Sequence, residues 1–548
     1  MSENTVKKVY GIDLGTTYSA LSVVDDGGNA AIIQNSDGQL ITASAIFYDK
    51  DNNSVIVGEG AKEMAHTDPD NFVHLIKREI GTKWRKEING EQHTPESVSA
   101  IILKYMINGA DKAGHKVEDV VITCPAYFNE KEREATRIAG KIAGLNVMEV
   151  LYEPVAAAIA YGIGIASADE EEKKKTKQVI VYDLGGGTFD VTVVMISPEK
   201  IRVICTDGDH RLGGTDWDSA LRDLLLNKLS QNGENVAEIM EDPETRAALI
   251  TTVEKAKISL SQKDSTSPRI LCKDGRKVKV DVTRQEFNEA TRALLDRTME
   301  FTDKMIATAR EKTGVEKIDD FLLVGGSTYM CQVQDMVNER YKDTLGVEPK
   351  QFEPNFAVAK GAAVFGKLLL GFDWAGTDPA PDPKPEPDPE PVPPPGPVVT
   401  HVATKSVGIK VLDREGKTLC YNLVKKQSDV PCDRVQVFPL SEANATSLPL
   451  VVYTNDVETE RADLEGCTEL GQAIMNLTPG LPKGAPIEIT FAMDGSAHLV
   501  LTARDMTNDK ALTVEFKMED VLSEKEIEHF GDLIAPDPSG NKVGLVIE

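Results

Sequence analysis

Two stretches of the chain repeat one pattern of apolar and polar positions. In Val9 to Ala20, VYGIDLGTTYSA, and in Gln178 to Asp190, QVIVYDLGGGTFD, a short apolar run leads into Asp-Leu-Gly and then a loop of small and hydroxyl residues. Alternating apolar strands leave these loops, Ala20 to Val24 in one case and Val191 to Ile196 in the other, so Asp13 and Asp183 start matching hairpins. A backbone free of side chains can bring several N–H groups up to one anion. Two such loops from two similar half-domains are expected to grip a polyphosphate, the aspartates holding through water the divalent ion that phosphate brings. A single loop reads equally well as a tight hairpin turn. The duplication favours the ligand.

Around these hairpins, residues 9 to 48 alternate like strands, with turns at Asp25-Asp26-Gly27-Gly28 and Asn35-Ser36-Asp37-Gly38. Helical spacing takes over from Thr94 to Ala113, where Pro95 suits a first helical position and Ile101, Ile102, Tyr105 and Met106 form one face. The β-branched run Val117 to Thr123 stops at Pro125, Asn129 caps a helix that ends near Gly144, and EPVAAAIAY, from Glu153 to Tyr161, reads as a small-residue helix. Strands alternating with crossover helices make this half α/β. The second half repeats the plan after a charged loop, Asp169 to Lys177. It carries the turn Leu212-Gly213-Gly214-Thr215-Asp216, helices to about Leu229 and from Pro243 to Leu260, and the buried strand Phe321 to Val324. Gly325-Gly326-Ser327-Thr328 follows that strand's C-terminal end, where α/β folds place ligands.

From Pro379 to Pro397, 11 of 19 residues are proline and half of the others are acidic. This predicts an extended spacer of roughly 60 Å at about 3.1 Å per residue; a proline-reading ligand segment is the sharper alternative. Beyond it the period is two, in Ser406 to Leu412, Arg434 to Phe438, Pro449 to Thr454, Ile487 to Phe491, His498 to Ala503 and Leu512 to Phe516, which suggests an all-β sandwich. Ser523 and Glu526 form a capping-box pair ahead of one short helix.

At 548 residues the chain holds roughly three to four domain-sized units. Acidic residues outnumber basic ones 88 to 61, a net charge of -27 without a basic block, which disfavours nucleic acid and anionic membrane as partners. The seven cysteines are dispersed and odd in number, as expected of reduced thiols rather than a disulfide framework or zinc site. No apolar run is long enough for a membrane span, MSENTVKK has no signal-peptide core, and the expected location is the cytoplasm. There is no Gly-x-x-x-x-Gly-Lys-Ser/Thr loop.

Together, GIDLGTTYSA, HLIKREIG, VITCPAYFNEKEREATRIAGKIAGL, EPVAAAIAYG, YDLGGGTFDV, LGGTDWD, LLVGGST and AVAKGAAV resemble, in order and spacing, the seventy-kilodalton heat-shock chaperones of DnaK type. KSVGIKV, LPKGAPIEITFAMDGSAHLVLTARD and LSEKEIE resemble that family's peptide-binding part more weakly. The resemblance implies an actin-like ATPase domain with a duplicated ribonuclease H-like core at 1–373, a Pro/acidic linker at 374–398, a peptide-binding β-sandwich at 399–522 and a short helix with a tail at 523–548. It implies ATP or ADP with Mg2+, and K+ as a further ion. Asp13 and Asp183 match the aspartates that hold magnesium through water. Gly15, Thr16, Thr17 and Tyr18 match the first phosphate loop, and Gly185, Gly186, Gly187 and Thr188 the second. Lys77 matches the catalytic lysine, though as a bare residue on a surface helix it reads as solvated. Glu153 matches the carboxylate that positions ion and water, so the catalytic set implied is Lys77, Glu153, Asp183, Thr188 and Asp13. Gly214, Glu254, Lys257, Ser261, Gly325, Gly326 and Ser327, with Tyr329, match the nucleotide pocket, and Pro125 and Arg133 an interdomain relay.

Departures from the family are equally specific. Ile258 and Tyr329 replace two arginines that sandwich adenine, Asn355 replaces an aspartate, Tyr152 an asparagine, and Glu149 an arginine that meets J-domain co-chaperones, a charge reversal that should weaken that partner. Leu368-Leu369-Leu370 runs directly into the proline spacer, so docking of the domains is disfavoured, and the helical lid is missing apart from the terminal fragment. Ile409, Leu412, Phe438, Leu440, Leu448 and Leu450 would line a peptide groove or simply fill the sandwich core. The reading is an ATP-dependent chaperone for unfolded or client polypeptides, with a nucleotide exchange factor as a candidate partner. A nucleotide-dependent scaffold with little turnover is the alternative. A small-molecule kinase of the same fold superfamily fits least.

Overall fold

The computed structural model describes residues 7–25, 28–88, 90–166, 175–197, 200–371, 398–413, 415–494, 499–508, 510–514, 517–518, 522–535 and 546–548. The proline-rich stretch and most of the charged loop at Asp169 to Lys177 lie outside these residues.

The first lobe opens with the antiparallel hairpin β1 (Val9–Asp13) and β2 (Tyr18–Val24), in which Asp13 stands opposite Ala20. Thr94 caps α1 (Pro95–Lys112), with Pro95 at its first position, and leads to β3 (Asp119–Cys124), which lies parallel to β1. Asn129 caps α2 (Glu130–Ile142), and β4 (Asn146–Tyr152) extends the parallel sheet before α3 (Glu153–Ala166). The second lobe repeats the order. The hairpin β5 (Lys177–Leu184) and β6 (Phe189–Ile196) sets Asp183 opposite Asp190, and β7 (Lys200–Asp209), α4 (Gly214–Gln231), α5 (Pro243–Leu260) and α6 (Arg292–Thr313) follow. Strand β8 (Asp320–Val324) runs parallel to β5, and α7 (Cys331–Leu345) leads to α8 (Ala357–Leu369). Gly361 of α8 sits so close to the Ala156 carbonyl of α3 that any side chain would collide. The small residues of both helices thus bring one lobe's crossover helix against the other's. The result is the duplicated actin-like α/β architecture.

A second unit is built on two facing antiparallel sheets. After β8 the chain supplies β9 (Val398–Val402), β10 (Ser406–Leu412), β11 (Thr418–Val424), β12 (Cys432–Pro439), β13 (Ser447–Asn455), β14 (Thr468–Asn476), β15 (Pro486–Met493), β16 (Leu499–Asp505) and β17 (Lys510–Val514). One sheet runs β11-β10-β13-β14 with short edge strands, the other β12-β15-β16-β17. Period-two alternation reveals six of these strands but not β11 or β14. In β11, Asn422 and Cys420 are buried polar positions satisfied by the fold, so polarity there does not mark the solvent face. Among the groove candidates, Ile409, Leu440 and Leu450 lie in the sandwich core, Phe438 and Leu448 pack half-buried against it, and Leu412 is 59% exposed.

The expectation that the spacer disfavours docking is overturned. Strand β9, the first element after the proline stretch, adds in parallel to the edge of β7, pairing Lys200, Ile201 and Arg202 with Val398, Val399 and Thr400. An edge strand presents unpaired N–H and C=O groups, and the β-branched sequence of β9 suits their pairing. A stiff spacer fixes only the separation of its own ends; it does not decide what the chain beyond it pairs with. Side chains then fasten the sandwich to β7 and α6. Lys426 reaches Asp207 at 2.9 Å, Lys304 reaches the same carboxylate at 2.8 Å, and Lys312 donates to the Gln427 carbonyl at 2.6 Å. The Gln427 amide accepts from the Thr206 N–H at 3.2 Å and donates to its carbonyl, imitating one more strand residue.

The terminal helix α9 (Glu524–Ile534), capped by Ser523, rests on the first lobe, with Ile527, Phe530 and Ile534 joined to its core and Phe530 against the His93 ring at 5.6 Å. Val546–Ile547 then pairs in parallel with the edge strand Ser54–Val57.

Candidate functional site

Each hairpin turn carries its glycine loop into the cleft between the lobes, and the loops interlock. A Cβ on Gly186 would collide with the Thr17 side chain, and one on Gly187 with Thr16. The second loop is further tied down because Gly214 N–H donates to the Gly185 carbonyl at 3.0 Å and Ser327 Oγ to the same oxygen at 2.8 Å. Between the loops lies a cavity of about 570 Å³. It is lined by Asp13, Gly15, Thr16, Thr17, Tyr18, Lys77, Glu153, Asp183, Gly185, Gly186 and Thr188 at one end and by Glu254, Lys257, Ser261, Gly325, Gly326, Ser327 and Tyr329 at the other. Gly187 and Gly214 stand directly behind this lining, Gly214 close to Ser327 and Lys257. Residues spread along the chain from Asp13 to Val358 therefore converge on one space.

Lys77 departs from what its sequence setting predicts. It is 5% exposed, and its ammonium lies 2.5 Å from Glu153 Oε1. Burial works against its charge, but Glu153 and Asp13 overcome burial and hold its pKa above the ordinary lysine value. The carboxylates around it are crowded. Burial, followed by Glu153, raises Asp13 to about 7 against the pull of Lys77, and burial with Glu153 and Asp13 drives Asp183 well above the usual range. Asp190, opposite Asp183 in the hairpin, is also buried and strongly raised, with Oδ1 accepting from the Ala126 N–H at 3.2 Å. One buried cation against four inward carboxyl groups leaves an excess of negative charge that a further cation would relieve. Among the described residues no three acidic, His or Cys groups stand close enough to bind a metal directly, so the donor set fits an ion held through water and phosphate oxygens.

Two features of this site escape sequence reasoning in different ways. Asp190 had a signal, since it closes the repeated hairpin. Lys62 had none: from the short helix Glu59–Met64 of the first lobe it crosses the cleft to Glu254 of α5 at 2.8 Å and to the Tyr18 hydroxyl at 2.9 Å. Burial raises Glu254 and Lys62 more than offsets it, leaving that carboxyl below its usual range. Arg78 forms a second bridge between the lobes, to Asp216 at 2.8 Å and the Gly187 carbonyl at 2.7 Å.

The family comparison fits this geometry. The family model described as Hsp70 protein matches residues 9–89 and 85–533. The chain belongs to the Hsp70 family. It is 35% identical over 530 residues to the chaperone protein DnaK of Mycoplasmopsis synoviae (strain 53), covering 95% of this chain and 81% of that relative. Its identity to the chaperone protein DnaK of Mycoplasma mycoides subsp. mycoides SC is also 35% over 530 residues, covering 95% and 82%. Within this Hsp70 protein, Ile258 and Tyr329 stand at the mouth of the cavity, 49% and 44% exposed, one aliphatic and one aromatic side chain. Asn355 lines the same end. Glu149 turns inward, 3.7 Å from both Arg133 and Arg137. Buried Arg133 lies over the Tyr152 ring at 4.9 Å and donates to the Val150 carbonyl, and Tyr152 meets His401 of β9 edge-on at 5.4 Å. Pro125 is buried at the end of β3, next to the Ala126 N–H that binds Asp190. No helix among the described residues is long and apolar enough to cross a membrane.

Proposed function

We propose that this Hsp70 protein is an ATP-dependent chaperone that hydrolyses Mg-ATP slowly in the interlobe cleft and holds extended apolar segments of client polypeptides on its β-sandwich. The single observation that carries the reading is the buried Lys77–Glu153 pair facing the two interlocked glycine loops. Backbone N–H groups of Gly15 to Tyr18 and Gly185 to Thr188 would cradle the phosphates. Asp13 and Asp183 would hold Mg2+ through its waters. Bound there, the ion would neutralise phosphate and carboxylate charge together. Lys77, a point cation held by Glu153, would sit beside the terminal phosphate and offset the charge that develops as water attacks. Lys62 and Arg78, which bridge the lobes, would keep them closed over the ligand and exclude bulk water. At the base end, Tyr329 would stack and Ile258 would pack. Ile409, Leu412, Phe438, Leu440, Leu448 and Leu450 are the groove candidates on the sandwich, of which Leu412 and the half-buried Phe438 and Leu448 are the accessible ones. Main-chain hydrogen bonds to an extended peptide would give affinity and the apolar side chains preference.

The test is single-turnover ATP hydrolysis with magnesium and potassium, comparing the intact protein with Lys77→Ala, each with and without an extended apolar peptide. Hydrolysis that disappears in the variant and quickens with peptide is the expected result. Equal turnover in both proteins would refute the role of Lys77, and binding without turnover in either would make the chain a nucleotide-dependent scaffold.

A further inference from the structure

The seven cysteines are scattered along the sequence and all are free thiols, yet the sandwich brings two of them together. Cys420 lies on β11, opposite Ala462 of the short edge strand, and one turn at Leu464–Gly466 then returns the chain so that Cys467 comes beside it. Thr454 pairs with Thr468 across β13 and β14, which sets Cys467 beside Asn455. Asn455 thus stands between the two sulfurs, with its Nδ2 3.7 Å from Cys420 Sγ. Cys420 Sγ further donates to Asn422 Oδ1 at 3.4 Å, and Cys467 Sγ to the Asp463 carbonyl at 3.3 Å. Cys420 is fully buried and Cys467 only partly so.

We propose that Cys420 and Cys467 form a redox modification site, a dithiol that hydrogen peroxide converts into an intramolecular disulfide. The environment divides the roles. Burial, and then the charge Cys467 would carry, pushes the Cys420 thiol up to about 12, so the proton stays there. Burial also raises Cys467, but that sulfur is the one solvent reaches, so peroxide meets it first. The Cys467 thiolate attacks one peroxide oxygen; the S–O bond forms, the O–O bond breaks, and hydroxide leaves. Cys420 sulfur then attacks the Cys467 sulfenic sulfur, the S–S bond forms as the S–O bond breaks, and the departing hydroxide takes the Cys420 proton as water. Two thiols lose two electrons and one peroxide becomes two waters. Because burial holds both thiols above the ordinary value, the reaction is slow at neutral pH and quickens as pH rises.

The consequence lies in the loop between β13 and β14. Asn422 and Asn455 exchange amide hydrogen bonds at 2.9 and 3.2 Å, and Asn422 also donates to the Thr459 carbonyl at 2.9 Å. The same loop presents Asp456 to Lys405 and Lys426 and Glu458 to Lys304 of the second lobe. A Cys420–Cys467 bond would pin this loop to β11 and fix the groups that meet the other domain.

The test uses the full-length protein exposed to hydrogen peroxide at pH 8.5, followed by alkylation in denaturant, intact mass measurement and peptide mapping. Alkylatable thiols should fall from seven to five, with a cross-linked peptide joining Cys420 to Cys467 that dithiothreitol releases. Cys420→Ser should instead carry sulfinic acid on Cys467. Seven thiols remaining, a disulfide to a different cysteine or chain, or over-oxidation of Cys467 in the unsubstituted protein without a cross-link would each overturn the proposal. The map of the unsubstituted protein decides the matter even where a variant fails to fold.

Discussion

Removing the Lys426 ammonium tests how the sandwich is held on the nucleotide lobes. Lys426 and Asp207 are 8% and 7% exposed at their side chains and 2.9 Å apart, with Asp456 a second, more exposed partner at 3.3 Å. Lys426→Met keeps the stem and deletes the charge. A buried carboxylate left with no cation costs about 3–5 kcal/mol, but Lys304 still reaches Asp207 at 2.8 Å. The loss is therefore one charge-assisted hydrogen bond, about 2 kcal/mol, or roughly a 30-fold shift toward the undocked form at 1.36 kcal/mol per factor of ten. Fluorescence energy transfer between dyes on the second lobe and the sandwich reads that equilibrium, at a urea concentration where the unsubstituted protein is half undocked. Lys405→Met is the control, since its partner Asp456 is 63% exposed and the pair is worth at most about 1 kcal/mol. The acid limb gives an independent sign. Burial raises Asp207 but Lys426 and Lys304 outweigh it, so its pKa is lowered on docking. Its contribution is fully present above the undocked value of about 3.9 and is lost as pH falls through the lower docked value. An unchanged docked fraction in Lys426→Met, or strict additivity with Asp207→Asn, would refute this account.

Three further outcomes follow from the site and its supports. Gly186→Ala should abolish the thermal shift produced by Mg-ATP, because its methyl group would occupy the place of the Thr17 side chain and part the two loops; a retained shift contradicts the interlock. Phe530→Ala, at a residue 6% exposed and packed against His93, should cost about 3 kcal/mol in urea unfolding of the first lobe, whereas a surface-like cost under about 0.5 kcal/mol would mean that α9 does not belong to that core. For Asp13 the folded pKa is raised to about 7, so the folded state binds the extra proton. Without divalent ion, calorimetric stability should then decline as pH rises from about 4 to about 7 and level off above that. Magnesium nucleotide should flatten the decline, and a rise over that interval would contradict the burial assigned to this carboxyl.

How much of this was legible depends on whether the information is local. The repeated hairpins, the caps Thr94, Asn129 and Ser523, and the helix starts at Pro95 and Pro243 are set by residues within a few positions of one another, and they lie where their sequence places them. Period-two spacing gave the sandwich but missed β11 and β14; in β11, buried Cys420 and Asn422 find Asn455 as a partner only across strands. The family motifs carried the cleft residues without carrying their state. Lys77 reads as a solvated surface lysine until α3 brings Glu153 beneath it.

The sequence by itself determined the duplicated α/β plan, the glycine loops, the β-rich second unit and the family. Each follows from short-range propensity or from motifs whose spacing is fixed along the chain. Only the tertiary structure decided that Lys62 and Arg78 bridge the lobes, that β9 completes the edge of β7 despite the spacer, and that Cys420 and Cys467 come to either side of Asn455. Those contacts join residues tens to hundreds of positions apart. Their existence depends on which edges, charges and buried faces remain unsatisfied once the local elements have packed.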